Sequence, residues 1–596
     1  IKSEGQEKRI GSRLMAIIAE GPKSRIYLSP TEEHEKIATT ISVDQCLDGM
    51  LVGKAADQLP LYGYSSFSDL YSNRQFVSTA TFSDLIVQAR NKVEKDGGSQ
   101  EYARAVGVFL GFAVDKLADT NSMCVTWNIT RDGLRNTFSR QAIAMTWDFA
   151  EGNPFGNSSG CFSNALDWIK KSILSLPAAT PGKAKQHDAK KDIGLRQVVV
   201  STDPPYYDNI CYADLSDYFY VWLRRSQKDV YPDLFGTIQV PKEEELVANP
   251  YRFNNGLSEE KQYFENGMVE AFRSINSYTN HNYPMTVYYA FKQGENDGAG
   301  IASTGWETML SAIIQAGFAI TGTWPIRTER EARTIASNAN ALASSIVLVC
   351  RKRSGDAPVC TRRDFINALK RELKPALDKL QASNIAPVDM AQSAIGPGMA
   401  VYSRYSKVLE ADGQPMSVRS ALQIINQELD LYFSDQDGEL DSDSRFCVDL
   451  YTQYAFNEMR FGEADVLARA KNTSVEGLAA NGVLYAQKGV VRLLTREEIP
   501  SKIYKKTIWL LTQQLTHALE KDGIAGAARI VADLYTSEPE RARALAYRLY
   551  TIAERKGWAS EAYAYNSLVT TWRDIQAQAA ELQAKFKNAE QTKLFD

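Results

Sequence analysis

The chain predicts an α/β protein built on a Rossmann-like sheet with helical additions and a winged-helix-like element. Three patterns carry that expectation. Between about 195 and 355, short β-branched runs alternate with stretches of helical spacing, and after 356 the spacing is almost wholly helical. Residues 461–498 then run helix, helix, hairpin, with Thr473-Ser474-Val475-Glu476 as a capping box and Gly489 at the hairpin turn.

Taken in order, residues 1–190 mix a short strand at Arg25–Leu28 with helices at 79–95 and 101–119. Val106, Phe109, Leu110, Ala113 and Leu117 recur there on one helical face. The Pro/Gly/Lys-rich stretch Pro177–Lys191 is an exposed connection. The module at 195–355 opens with a strand at Gln197–Ser201, an Asp-Pro-Pro turn and an aromatic helix through Tyr218, Tyr220, Trp222 and Leu223. A helix at 258–277, a strand at Met285–Phe291, a helix at Trp306–Gln315 and strands at Phe318–Trp324 and Ser344–Cys350 complete it. Such alternation predicts a largely parallel sheet with helices on both faces and a ligand site beyond the carboxyl ends of its strands. A helical domain at 356–460 includes acidic material at Ser434–Ser444. The C-terminal domain at 500–596 is helical, one helix running through Ile508, Leu511, Leu515 and Leu519 to stop at Gly523.

Composition narrows the class. At roughly 100 to 200 residues per domain, 596 residues suggest three to five domains. Apolar residues at 44% and charged residues at 23% are ordinary for a globular protein, and no apolar run approaches the ~20 residues that span a bilayer, so a cytoplasmic protein without membrane contact is expected. The seven cysteines form no C-x-x-C pair and the four histidines stand apart, so no metal site is expected within this stretch. A net charge of -4 does not exclude nucleic acid, because phosphate binding needs only a local basic patch.

The tetrapeptide Asp203-Pro204-Pro205-Tyr206 follows a predicted strand and carries the strongest chemical signal. Transfer of a methyl group to an exocyclic amine needs that nitrogen held in line with the donor and polarised as it attacks. Asp203 can accept one N–H of the amine and the carbonyl of Pro204 the other, while the two prolines stiffen the turn. Tyr206 offers a ring face to a base that has left the duplex stack, and Tyr207 and Asn209 complete a base pocket.

The stretch Ser201 to Ile210, continuing through Tyr212-Ala213-Asp214-Leu215-Ser216-Asp217, resembles a family of large adenine-specific DNA methylases with an embedded zinc ribbon, associated with bacterial phage defence. Similarity extends to Pro284–Lys292, Thr321–Glu329, Ala341–Cys350, Ile395–Tyr405 and Glu463–Glu476. The resemblance implies a bacterial, site-specific adenine-N6 methyltransferase with a Rossmann-like methyltransferase sheet. It also implies S-adenosylmethionine as cofactor, double-stranded DNA as substrate, base flipping, and a place in a phage-defence or restriction-modification-like system with other defence proteins. The family's donor-binding strand and zinc ribbon have no clear counterpart here. Asn153-Pro154-Phe155 before Gly156 is the closest echo and a candidate cofactor contact, and Phe67–Phe76 weakly resembles the segment that closes over the donor. With Ile1 in place of Met, this suggests an N-terminal methyltransferase segment outside the chain, and weak donor binding by the chain alone.

Other signals are weaker. Arg327, Arg330, Arg351, Lys352 and Arg353 are candidates for contact with the DNA backbone, against the alternative of a solvated face. Gln591, Leu594 and Phe595 resemble peptides that dock on bacterial sliding clamps. Gly156 to Gly160 matches the pattern of a serine-hydrolase elbow but lacks a preceding strand. The rival functions are cytosine-N4 methylation, disfavoured by Asp rather than Ser at 203, and a non-catalytic recognition or scaffold subunit.

Overall fold

The computed structural model describes all residues except 159, 177–179, 207–209, 249–256, 290–303, 328–343, 384, 436–439, 501–506, 535–536 and 594–596. The chain is mixed α/β, 55% helical, with small mixed sheets. It divides into two compact units, residues 1–191 with 205–267 and residues 192–204 with 268–596. One cut falls at the end of the Pro/Gly/Lys-rich connection. A second falls between Pro204 and Pro205 and a third between Gly267 and Met268, so the stretch 195–355 is shared between the units.

In the first unit, β1 (Ile17–Glu20) and β2 (Arg25–Leu28) form an antiparallel ribbon. Helix α1 (Asn73–Lys95) starts at a capping box in which Ser72 and Gln75 satisfy each other's backbone N–H groups, and α2 (Gln100–Thr120) starts at a Ser99 cap. A short hairpin of β3 (Trp127–Asn128) and β4 (Gly133–Leu134) follows, then α3 (Phe162–Ser175) and α4 (Tyr212–Gln227). Leu215, Tyr218, Val221 and Trp222 fall on one face of α4 and enter a core with Phe67, Leu70, Tyr71, Phe76, Ile86 and Val114. The Trp222 indole donates to the Tyr71 hydroxyl at 2.9 Å, which lets its polar edge be buried with the ring. An indole removes roughly 200 Å² from water, on the order of 5 kcal/mol.

The second unit is organised on a sheet of β5 (Ser201–Thr202), β6 (Met285–Tyr289), β7 (Phe318–Arg327) and β8 (Ser344–Lys352), in the order β5-β6-β8-β7. Strand β5 runs parallel to β6, with Thr202 beside Val287, and β8 runs antiparallel to both β6 and β7. Three strands therefore share one direction and β8 opposes them between β6 and β7. The sheet is mixed where alternation suggested a largely parallel one. The physical reason is that β7 and β8, consecutive in the chain, pair directly, and periodicity alone does not reveal which strands pair. Helix α5 (Leu257–Tyr278) precedes β6, and α6 (Thr304–Gln315) is the crossover that lets β7 run with β6.

Beyond the sheet, β9 (Val359–Thr361) pairs in parallel with β10 (Lys407–Leu409). Helices α7 (Arg362–Ala382), α8 (Pro387–Ser403) and α9 (Val418–Asp435) pack together. Helix α8 lies on β7, where Gly396 allows the approach: a Cβ there would meet Thr323 Oγ1 at 2.2 Å. Next come α10 (Ser442–Tyr454), β11 (Met459–Arg460), α11 (Phe461–Ala470), α12 (Val475–Ala480), β12 (Leu484–Gln487) and β13 (Val490–Leu493). The three strands pair in the order β11-β13-β12. Helices α13 (Ile508–Ala532), α14 (Glu538–Arg555), α15 (Ala559–Thr570) and α16 (Trp572–Lys593) close the chain. Gly523 breaks α13 with φ 66° and ψ -162°, a conformation open to glycine and hostile to residues with a Cβ.

Candidate functional site

The extended run into Asp203 is longer than β5 alone. Val198 N–H donates to Tyr278 O at 3.1 Å, Asn280 N–H to Val198 O at 2.8 Å and Thr286 N–H to Val200 O at 3.0 Å, so residues 198–202 follow the chain from 278 to 287. Asp203 comes directly after, exposed, and among the described residues nothing hydrogen-bonds or ion-pairs with its carboxylate. Pro204 is buried, while Pro205 and Tyr206 are half-buried. An anchored proline behind an exposed carboxylate is a stiff mount for a hydrogen-bond acceptor. Tyr207 and Asn209 lie outside the described residues. Strands β5, β6 and β7 all finish at the end of the sheet where Asp203 stands, the end that binds ligands in open α/β sheets.

The acidic residues just beyond the turn have a different use. Asp214 and Asp217 on α4 are buried. Asp214 Oδ2 accepts Lys54 N–H at 2.9 Å, and the chain passes so close at Gly53 that a Cβ there would meet that oxygen at 2.3 Å. Asp217 accepts from Lys242 Nζ at 2.7 Å, Gln239 Nε2 at 2.7 Å and Val240 N–H at 2.8 Å. Both are braces that tie loops to α4. Their partners lie far away in sequence, so no local pattern announces them.

Asn153-Pro154-Phe155 forms a turn closed on itself. Asn153 Oδ1 accepts the Phe155 N–H at 3.0 Å, the Pro154 carbonyl accepts the Phe162 N–H at 2.9 Å, and the turn delivers the chain into α3. Asn153 and Phe155 are exposed, the Phe155 ring resting near Phe82 at 5.6 Å between centroids. No strand leads into this turn among the described residues. Asn153 Oδ1 is engaged within the turn itself. Phe67 to Phe76 belongs to the core: Phe67, Leu70, Tyr71 and Phe76 are all buried there.

The basic candidates separate. Arg327 ends β7 opposite Ser344, at the Asp203 end of the sheet, and Arg330 lies outside the described residues. Arg351, Lys352 and Arg353 are at the other end. Asp203 stands level with Val347, so Lys352 is roughly 17 Å further along β8 at ~3.3 Å per residue. Arg351 is exposed and donates to the Asn282 carbonyl at 3.0 Å. The sequence grouped these cations into one rim beside the turn, and the antiparallel course of β8 carries this trio away from it.

The winged-like segment and the C-terminal helices share a core. Arg496 pairs with Glu561 at 2.6 Å and lies over the Tyr565 ring at 5.0 Å, and Trp509 N–H donates to Ser444 Oγ at 2.9 Å. Burial opposes the Arg496 charge, but Tyr565, Glu561 and Glu520 outweigh it and raise its pKa. Residues 441–594, which span all of this, match a family model described as Domain of unknown function (DUF8807). No curated protein and no solved structure matches the chain. The comparisons thus tie the winged-like segment and the closing helices into one domain, in agreement with their packing.

In the closing helix, Gln591 lies in the last turns of α16, and Leu594 and Phe595 are outside the described residues. No helix among the described residues is long and apolar enough to cross a membrane. Nor do three or more His, Cys, Asp or Glu side chains gather as metal ligands among them.

Proposed function

We propose that this chain holds the target base of a DNA adenine-N6 methyltransferase, akin to the large adenine-specific methylases of phage defence, within a Rossmann-like methyltransferase sheet. The observation that carries this is the exposed carboxylate of Asp203, mounted on a buried proline at the carboxyl end of three strands that run together, where open α/β sheets take their ligands. An adenine turned out of the duplex offers two N6–H donors. Asp203 accepts one and the Pro204 carbonyl the other, which draws electron density onto the nitrogen without first removing a proton. Tyr206 replaces part of the lost stacking, roughly 1 to 3 kcal/mol per base. S-adenosylmethionine would supply the electrophilic methyl group.

Nucleoside analysis of DNA from cells producing the intact protein tests the proposal. N6-methyladenine is expected with the natural sequence and a drop of about 100-fold or more with Asp203→Ala, the size of effect seen when one preorganised polar group is removed. Unchanged methylation in the variant would favour a recognition or scaffold role. N4-methylcytosine in place of N6-methyladenine would move the chemistry to the other exocyclic amine.

A further inference from the structure

At the end of the sheet away from Asp203 lies a cleft of about 680 Å³. Arg273, Asn276 and Ser277 line it from the end of α5, with His281 just beyond, Ala316 and Gly317 from the turn between α6 and β7, and Lys352 to Gly355 from the end of β8. Its frame is fixed by hydrogen bonds: Asn276 Nδ2 donates to Ala316 O at 2.9 Å, and Arg353 N–H to Gly317 O at 2.9 Å. Gly317 turns at φ 89°, a conformation that favours glycine, and brings the α6–β7 corner against Asn276.

The lining is one-sided in charge. Arg273, Lys352 and Arg353 are cationic, and among the described residues no carboxylate lines the cleft. Among the described residues none of the three has an ion-pair partner. The acids nearest in sequence, Glu270 and Asp356, are both exposed, and Asp356 takes the Ser354 hydroxyl. Lys352 and Arg353 are half-buried, and burial lowers the pKa of each. Among the described residues the Arg353 guanidinium reaches two carbonyls, of Ile314 at 3.4 Å and Ser403 at 3.5 Å, long contacts that leave most of its donor capacity unused. Partly dehydrated cations without a counter-charge are costly to keep unless an anion completes them.

We propose that this cleft binds phosphate groups, presented either by a nucleic-acid backbone or by a free ligand of nucleotide size. Two guanidinium groups and an ammonium call for a ligand with several charged oxygens, which phosphate supplies and a single carboxylate does not. The volume suits a ligand larger than one bare phosphate. The site is independent of the Asp203 turn and stands or falls without it.

Fluorescence anisotropy with a short duplex of arbitrary sequence, and direct calorimetric titration with inorganic pyrophosphate, test the proposal on the whole chain. Arg273→Gln with Lys352→Gln is expected to weaken binding about tenfold or more for any sequence, and to lower the salt slope of duplex binding by about 2. Loss of duplex binding identifies the backbone as the source. Loss of direct pyrophosphate binding with duplex affinity unchanged identifies a free ligand. If neither probe binds the natural chain, or both bind the variant equally well, the proposal is wrong. Should the double variant melt at lower temperature, Arg273→Gln alone decides, since Arg273 is exposed: weaker binding is expected, and unchanged affinity for both probes overturns the site.

Discussion

A carboxylate with no exposed surface must be compensated where it sits. Asp217 is fully buried and holds the Lys242 ammonium, a backbone N–H and the Gln239 amide. Asp203 keeps its water and has no such partners among the described residues. The two acids therefore make opposite predictions. Asp217→Ala takes the carboxylate away from Lys242, whose side chain is only 21% exposed, and is expected to cost about 3 kcal/mol, read as a lower melting temperature and faster hydrogen exchange at 239–242. Asp203→Ala should leave stability within about 0.5 kcal/mol, as exposed positions usually do. If both substitutions cost the same, the division into brace and site is wrong. From sequence, Asp203 stands out as a candidate because two prolines and a tyrosine stand beside it. Asp214 and Asp217 do not, because their roles are written in partners such as Lys54 and Lys242 that only folding brings near.

Elements with strong local signals appear where the sequence puts them, and those that depend on pairing shift. Helices α1, α2, α5 and α6 match their apolar spacing closely, and Gly523 does end the regular helix that approaches it. The helix-helix-hairpin order at 461–498 gains a third strand from β11, because Met459 and Arg460 pair with β13. Helix α12, Val475-Glu476-Gly477-Leu478-Ala479-Ala480, carries no cation, which argues for packing over groove reading. The hairpin is braced by Arg492, which sits over the Tyr485 ring at 5.1 Å and forks onto Glu498 at 2.7 and 2.8 Å. That guanidinium, with Thr495 N–H, holds the Glu498 carboxyl down to about 2. A depressed carboxyl pKa stabilises the fold above the unfolded value of ~4.5 and loses that contribution as pH falls toward 2. With Glu498 41% exposed, solvent screening keeps the effect under about 1 kcal/mol. Protection factors across 484–498, corrected for the pH dependence of intrinsic exchange, should therefore fall between pH 4.5 and 2 in the natural chain. In Glu498→Gln they should already be low at pH 6 and change less with acid, and identical pH profiles would remove the pair from the account.

For the molecule as a whole, the sequence marks Pro177–Lys191 as an exposed connection by composition alone, and one cut between the two units falls at its end. Composition does not foresee that 205–267 returns to the first unit. That return is made by α4, whose Tyr218 and Trp222 pack on Tyr71 and Phe76, residues that no periodicity in 205–227 names. Each unit has its own buried core, so damage to one should be felt there first. Trp222→Ala removes the largest ring of the first core and the donor to Tyr71, an expected cost of about 3 to 5 kcal/mol. Hydrogen exchange followed by mass spectrometry should then show faster exchange in α1, α2 and α4. Helices α10, α13 and α14, held by Tyr451, Trp509 and Tyr547 in the other core, should exchange as before, because substitutions without shared partners are close to additive. Uniformly faster exchange across both units would mean that the two cores unfold as one cooperative body, and the split at Pro204 would then be a feature of geometry without energetic consequence.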